Sequence, residues 1–219
     1  MVFKNLLVVE GLNDQYVAQN ILKKNGVSCE SQRQEFSVKD NQAIIIQSQG
    51  SREKLLSSLD SLLDSSELER LGIIVDADGE LELKKTWGKL QSIFIKRNLD
   101  LPDKPASPFN TEVIIAFRQI LVGIWIMPGD GSHGELEDFF ASLIPQNDLL
   151  WDRAVNSVEA IPSSVRRFKK ISKAKVHTWL AWQKEPGEPM GRAIEFGYVQ
   201  ADSNSAINFM KWIRVVFGL

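Results

Sequence analysis

Residues 6–17, LLVVEGLNDQYV, contain four consecutive aliphatic residues, then an acid, and then a helical pattern. An uninterrupted run such as Leu6–Val9 predicts a strand buried on both faces, because a parallel sheet covered by helices has no polar face to alternate with. The helical pattern that follows ends near Gly26, a residue suited to a C-terminal cap. The segment therefore predicts a strand-turn-helix unit.

The same alternation continues along the chain. Residues 43–46 predict a second buried strand, and the segment after Ser51 predicts a helix with that serine as its N-cap. Residues 71–75 predict a third strand. The order of strands and helices predicts an α/β fold with parallel strands and right-handed crossovers.

Further along, residues 81–97 predict a helix. Residues 113–117 and 121–127 predict two more strands or a hairpin added to the sheet edge. From residue 144 the pattern is mainly helical and rich in tryptophan. We therefore expect an α/β core over residues 1–143 and a helical C-terminal extension, packed on the core, over residues 144–219.

The composition limits which residues could bind a metal and in which cell compartment the protein is expected. The lone Cys29 cannot form an internal disulfide or a cysteine-rich zinc site, so a metal would be held by oxygen ligands or by the two histidines. The apolar run before Glu10 is too short for a signal-peptide core or a membrane span. We expect a cytoplasmic protein that does not associate with membranes, and dimerisation stays open.

Acidic residues follow two of the predicted strands. Glu10 and Asp14 come after the first, and Asp76 and Asp78 come after the third. Ligands of open α/β sheets bind at the carboxyl ends of strands, and gathered carboxylates favour a divalent cation. A helix cap or a salt bridge is the alternative for Glu10.

A third acidic group follows the glycine-rich loop 128–134. It comprises Glu135, Glu137 and Asp138, and acids at a helix start can also serve simply as caps that complement the helix dipole. His133 in the loop could assist proton transfer. The segment 165–175 holds six cations in eleven residues, which could neutralise phosphates or form a solvated helix face.

The pattern hydrophobic-Glu-Gly-x-x-Asp followed by hydrophobic-Asp-x-Asp resembles the Toprim domain shared by topoisomerases, bacterial primases and the OLD family of nucleases. Val9-Glu10-Gly11 and Asp76-Ala77-Asp78 carry the resemblance. It is nearest to the stand-alone and OLD-type nucleases and covers residues 2–140. It implies a Toprim-like, mostly parallel sheet and a Mg²⁺- or Mn²⁺-dependent nuclease or related phosphodiester hydrolase, with two ions possible and DNA or RNA as substrate.

The resemblance also assigns roles. Glu10 would be a metal ligand or general base, Asp76 and Asp78 would bind the first ion, and Asp14 would help a second. Some of Ser132, Glu135, Glu137 and Asp138 would complete the second site. Lys173 or Lys175 would stabilise the transition state, and the sequence does not choose between them.

The OLD nucleases carry an ATPase domain, whereas this chain has no Gly-x-x-x-x-Gly-Lys-Ser/Thr loop. It would act alone or with a separate ATPase or other protein partner.

Two other functions stay open. Asp76-Ala77-Asp78-Gly79 also resembles the signature of haloacid dehalogenase-type phosphatases, in which the first Asp is a nucleophile and the second a general acid. Glu80 departs from that signature, and Glu10 and Asp14 have no place in it. The second alternative is a non-catalytic Toprim-like module that binds nucleic acid or a protein.

Overall fold

The structure is a computed structural model that describes residues 4–31, 43–115, 117–131 and 133–219. Its strands are β1 (Asn5–Val9), β2 (Cys29–Ser31), β3 (Ile44–Ser48), β4 (Arg70–Asp76), β5 (Phe109–Ile115) and β6 (Arg118–Met127). Its helices are α1 (Leu12–Lys24), α2 (Arg52–Leu63), α3 (Glu80–Ile95), α4 (Leu136–Ala141), α5 (Leu149–Glu159), α6 (Ile171–Ala181), α7 (Met190–Glu195) and α8 (Asn204–Phe217).

The six strands form one sheet in the order β2-β3-β1-β4-β6-β5. Every neighbouring pair is parallel except β5 and β6, which form an antiparallel hairpin at the edge. The predicted α/β class, a mostly parallel sheet flanked by helices with a helical C-terminal part, is confirmed. The short strand β2 was not predicted.

Both faces of the sheet are covered, which explains the uninterrupted apolar runs. On one face Leu7 and Val9 of β1 pack in a cluster with residues of α1, α4 and α6–α8. On the other face Leu6 and Val8 pack in a second cluster with residues of α2 and α3. Successive side chains of a strand point to opposite faces of the sheet, so a strand that is buried on both faces needs apolar residues at every position.

The helices after residue 143 share their hydrophobic cluster with the strands. Trp212 of α8 packs against Trp125 of β6 with 5.5 Å between ring centroids, and Phe209 packs against the same indole at 5.2 Å. The C-terminal segment thus supplies one wall of the core of the sheet. No helix in the described ranges is long and apolar enough to cross a membrane.

The contact between α8 and β6 is close enough to test by substitution. A Cβ atom at Gly123 would lie 2.2 Å from Val216 Cγ2 and 2.9 Å from Trp212 Nε1. We expect Gly123→Ala to lower the free energy of unfolding by about 1–3 kcal/mol, because α8 must shift to make room. Urea denaturation measures this.

Gly88→Ala is the matched control. Gly88 lies within α3, and a Cβ there would have no neighbour within 4 Å, so the alanine should stabilise by about 0.5–1 kcal/mol. Equal effects of the two substitutions would contradict the close packing of α8 on the sheet.

Candidate functional site

The carboxyl ends of β1 and β4 bring the first two acids together. These strands are parallel neighbours, and Glu10 and Asp76 stand at their ends. The Asp76 backbone N–H donates to Glu10 Oε1 at 3.0 Å. The sequence places these acids far apart, and strand pairing makes them adjacent.

Asp14 joins them from the first turn of α1. Its Oδ2 accepts from the Gly11 backbone N–H at 3.0 Å, which caps the helix. Its other oxygen, Oδ1, is buried and has no hydrogen-bond partner among the described residues. Only 8% of Asp14 is exposed to solvent. A buried carboxylate oxygen without a partner is costly unless a proton or a cation compensates it.

The turn after β4 carries Asp78 and brings in Glu135. The Gly134 carbonyl accepts from the backbone N–H groups of Ala77 and Asp78 at 2.9 and 3.2 Å, which joins the glycine-rich loop to this turn. One carboxylate oxygen from each of Asp76, Asp78 and Glu135 lies within 4.8 Å of the other two.

Glu137 and Asp138, predicted together as metal ligands, lie in different surroundings. Glu137 lines the same cleft as Asp14 and Asp76. Asp138 caps α4 by accepting from the Glu135 N–H at 2.9 Å, and it accepts a second bond from the Ser172 hydroxyl. Asp138 lines a neighbouring small cavity beside Trp125 instead. Asp138 therefore caps α4 and does not line the cleft, and its predicted role as a metal ligand stays a prediction.

Two basic residues that were not predicted lie among the acids. Arg52, in the first turn of α2, donates from Nε to Glu10 Oε1 at 3.0 Å and also bonds Asp78. Lys170 Nζ donates to Asp78 Oδ1 at 2.9 Å and bonds Glu135 as well. The position of Arg52 after β3, a neighbour of β1, was a usable signal. Nothing in the spacing distinguished Lys170 from the other cations around it.

The two predicted lysines separate clearly. Lys173 Nζ lies 3.5 Å from Glu137 Oε1, and Lys173 lines the cleft. Lys175 instead forms an ion pair with Glu159 of α5 at 2.5 Å and does not line the cleft. The candidate role of Lys175 is therefore not supported by its position. His133 lines the small cavity beside Trp125 rather than the cleft, and Ser132 lies outside the described residues.

The cleft is open and has a volume of about 430 Å³. Its described lining consists of Gly11, Leu12, Asn13, Asp14, Ser48, Gly50, Asp76, Glu135, Leu136, Glu137, Lys170 and Lys173.

Crowding changes the proton affinity of the acids. Burial, with the nearby Glu10 carboxylate, raises the pKa of Asp14 to about 7. Burial, with Asp14 and Glu10 nearby, raises the pKa of Asp76 to about 9. At Asp78 the bonds from Lys170 and Arg52 outweigh burial and lower the pKa. The site therefore holds more carboxylates than its own basic residues neutralise, and protons make up the difference.

The raised pKa of Asp14 predicts how stability depends on pH in chelator-treated protein. The folded state holds the Asp14 proton up to about pH 7, whereas the unfolded chain releases it near pH 4. Stability from this group is present below pH 4 and is lost as the pH rises through 7. Asp14→Asn removes that dependence.

We expect the free energy of unfolding of the wild type, relative to Asp14→Asn, to fall by about 2–4 kcal/mol between pH 5 and pH 8.5. Urea denaturation in EDTA measures it. Asp64→Asn, at the exposed end of α2, is the control and should follow the wild type. Parallel curves for wild type and Asp14→Asn would contradict the prediction.

Comparisons with known proteins identify a family for this chain but assign no chemical activity to it. No curated protein and no solved structure is significantly similar to the chain. The model of one protein family matches residues 4–218. The chain therefore belongs to the family described as "Protein of unknown function (DUF3226)".

Proposed function

We propose that this protein is a Mg²⁺- or Mn²⁺-dependent nuclease or related phosphodiester hydrolase that acts on nucleic acid. The observation that carries the proposal is the convergence of carboxylates from three separate segments around a buried, unpartnered oxygen of Asp14. A cation bound in the cleft would give this oxygen a partner.

The donor atoms fit a hard divalent cation. Mg²⁺ and Mn²⁺ take carboxylate oxygens as ligands, and the candidate set contains neither sulfur nor imidazole. Asp76, Asp78 and Glu135 would hold one ion, since their oxygens already lie within 4.8 Å of one another. Asp14, with Glu10 and Glu137, would contribute to a second.

The basic residues occupy positions that suit a phosphate substrate. Lys170 bridges Asp78 and Glu135, and Arg52 bridges Glu10 and Asp78. With a cation held by these acids, both side chains would be free to offset charge on a phosphodiester. Lys173 beside Glu137 is a further candidate for that role. A bound divalent ion would supply Lewis-acid stabilisation and a water nucleophile of lowered pKa.

The positions of Glu10 and Asp14 favour this reaction over the phosphatase alternative. A phosphatase of the haloacid dehalogenase type would use Asp76 and Asp78, with a later acidic motif at Asp130 and Asp138, and would give Glu10 and Asp14 no role. Here Glu10 bonds the Asp76 backbone, and Asp14 lines the same cleft. An account of the site must include all four acids, as the Toprim-like assignment does.

The test is cleavage of supercoiled plasmid, single-stranded DNA and RNA with Mg²⁺ or Mn²⁺, and with EDTA as the control. We expect at least one polymer to be cut only when metal is present. Turnover of p-nitrophenyl phosphate alone would support the phosphatase instead. Metal-dependent binding of a polymer without cleavage would support the non-catalytic module.

A further inference from the structure

The connection between α5 and α6, residues 160–170, forms a basic loop whose last residue, Lys170, lines the acidic cleft. No acidic residue occurs between Glu159 and Glu185, whereas Arg166, Arg167, Lys169 and Lys170 lie within the loop. The whole chain has a net charge of −2. Positive charge is thus concentrated on one short segment of a slightly acidic protein.

The loop cations are not the solvated face of a helix, which was one interpretation of the sequence. α5 ends at Glu159 and α6 begins at Ile171, so the cations up to Lys170 lie in irregular backbone. The Arg166 Nη2 donates to the Ile161 carbonyl at 3.0 Å, and its guanidinium lies 5.5 Å from the centre of the Phe168 ring. The side chain of Arg166 therefore contacts other residues of the loop and stabilises its conformation.

Arg167 and Lys169 differ from Arg166. Both are exposed, and neither forms an ion pair with an acid of the described residues. The lack of an ion pair does not by itself distinguish them, since Lys84 pairs with Glu80 whereas the exposed Lys23 and Lys24 have no such pair among the described residues. What sets Arg167 and Lys169 apart is their position, because they directly precede Lys170, which lines the acidic cleft. Two exposed cations at this place in the chain are suited to an anionic partner from outside the chain.

The loop is joined to the cleft through its last residue. Lys170 reaches Asp78 and Glu135, and Lys169 is the next residue back along the chain. A polyanion would be repelled by the carboxylates in the cleft, and cations on the adjoining loop would offset that repulsion. A ligand with repeated negative charges, one at the cleft and others beside it, fits this arrangement.

We infer that the basic loop binds backbone phosphates of a nucleic acid strand next to the phosphate that enters the cleft. Arg167 and Lys169 each neutralise a phosphate, and Arg166 holds the loop in position. The inference rests on the proposed function for the role of the cleft, but the loop contacts themselves require no turnover.

The experiment measures binding without cleavage. A fluorescein-labelled oligonucleotide of 20 nucleotides, single-stranded or as a duplex, is titrated by anisotropy with Ca²⁺ at 50–200 mM KCl. For Arg167→Ala/Lys169→Ala we expect about tenfold weaker binding at 50 mM salt. The slope of log affinity against log salt should become shallower by about 1.8 for duplex and about 1.4 for single strand, as expected when two phosphate contacts are lost.

The control is Lys23→Ala/Lys24→Ala, which removes the same charge from the exposed last turn of α1. It should bind like the wild type. The charge-reversed Arg167→Glu/Lys169→Glu should bind more weakly still, with an unchanged thermal midpoint for each variant.

The experiment distinguishes an error in the loop inference from an error in the proposed nuclease reaction. Weaker binding by the loop variants in a protein that cuts no polymer would uphold the loop and overturn the proposed reaction. Equal loss in the Lys23/Lys24 control, wild-type binding by the loop variants, or no binding of either probe would overturn the loop inference. So would loop-dependent binding to phosphatidylserine vesicles without binding to the oligonucleotides.

Discussion

Replacing Asp76 by asparagine should abolish metal-dependent cleavage while leaving the metal-free protein folded and nearly as stable as the wild type at pH 7. We expect the rate to fall by about 10³-fold or more, since loss of a ligand from the proposed site removes several kcal/mol of transition-state stabilisation. Plasmid cleavage under single-turnover conditions measures the rate.

The Asp76→Asn variant should remain stable because Asp76 is protonated, and therefore uncharged, in the folded metal-free protein. Burial and the neighbouring acids raise its pKa to about 9, so in metal-free protein at pH 7 the side chain is neutral. Asparagine is neutral and has nearly the same shape. Its side-chain oxygen can still accept from the Leu136 backbone N–H, which lies 3.1 Å from Asp76 Oδ1.

Metal binding can be followed separately from cleavage. Mn²⁺ at a hundred times its dissociation constant should stabilise the wild type by about 2.7 kcal/mol, which raises the melting temperature by about 5–10 °C. Asp76→Asn should lose that shift, and the surface control Asp64→Asn should keep it. An Asp76→Asn variant that still shifts and still cleaves would remove this carboxylate from the proposed site.

The part of the site at the strand ends could be predicted from sequence because short sequence patterns mark both the strands and the acids that follow them. Aliphatic runs mark β1 and β4 as buried on both faces, and the first acid after each run must then stand at the sheet edge. The meeting of Glu10 with Asp76 follows once the strands are parallel neighbours. Asp14 could be placed too, since it lies one helical turn after β1.

The rest of the site depends on contacts that no local pattern encodes. Lys170 reaches Asp78 across 92 residues of sequence, and it is one of several cations in its segment. Asp138 was, in contrast, predicted as a metal ligand but does not line the cleft. An acid three residues after the N-cap has the same sequence signature whether it faces a metal site or only caps the helix. Asp14 and Asp138 both cap their helices, and only the tertiary structure shows that Asp14 lines the cleft and Asp138 does not. Likewise, the ion pair of Lys175 with Glu159 depends on the packing of α6 against α5.

Replacing Lys170 by alanine should change metal affinity and catalytic rate in opposite directions. Its ammonium group bonds Asp78 and Glu135, which are both proposed ligands, and these bonds outweigh burial in raising the pKa of Lys170. An entering divalent cation must displace this charge. Lys170→Ala removes the competing cation, so we expect Mn²⁺ to bind several-fold more tightly.

The rate with bound metal should nevertheless fall by about 10²-fold, because the displaced ammonium is the group proposed to offset charge on the phosphate. Calorimetric titration gives the affinity, and cleavage at saturating Mn²⁺ gives the rate. Lys170→Arg keeps a positive charge and should recover part of the rate. Lys175→Ala, whose lysine pairs with Glu159, is the matched control and should change neither quantity. If Lys173→Ala loses the rate while Lys170→Ala retains it, the transition-state role belongs to the lysine beside Glu137, and Lys170 only balances the charge of Asp78 and Glu135.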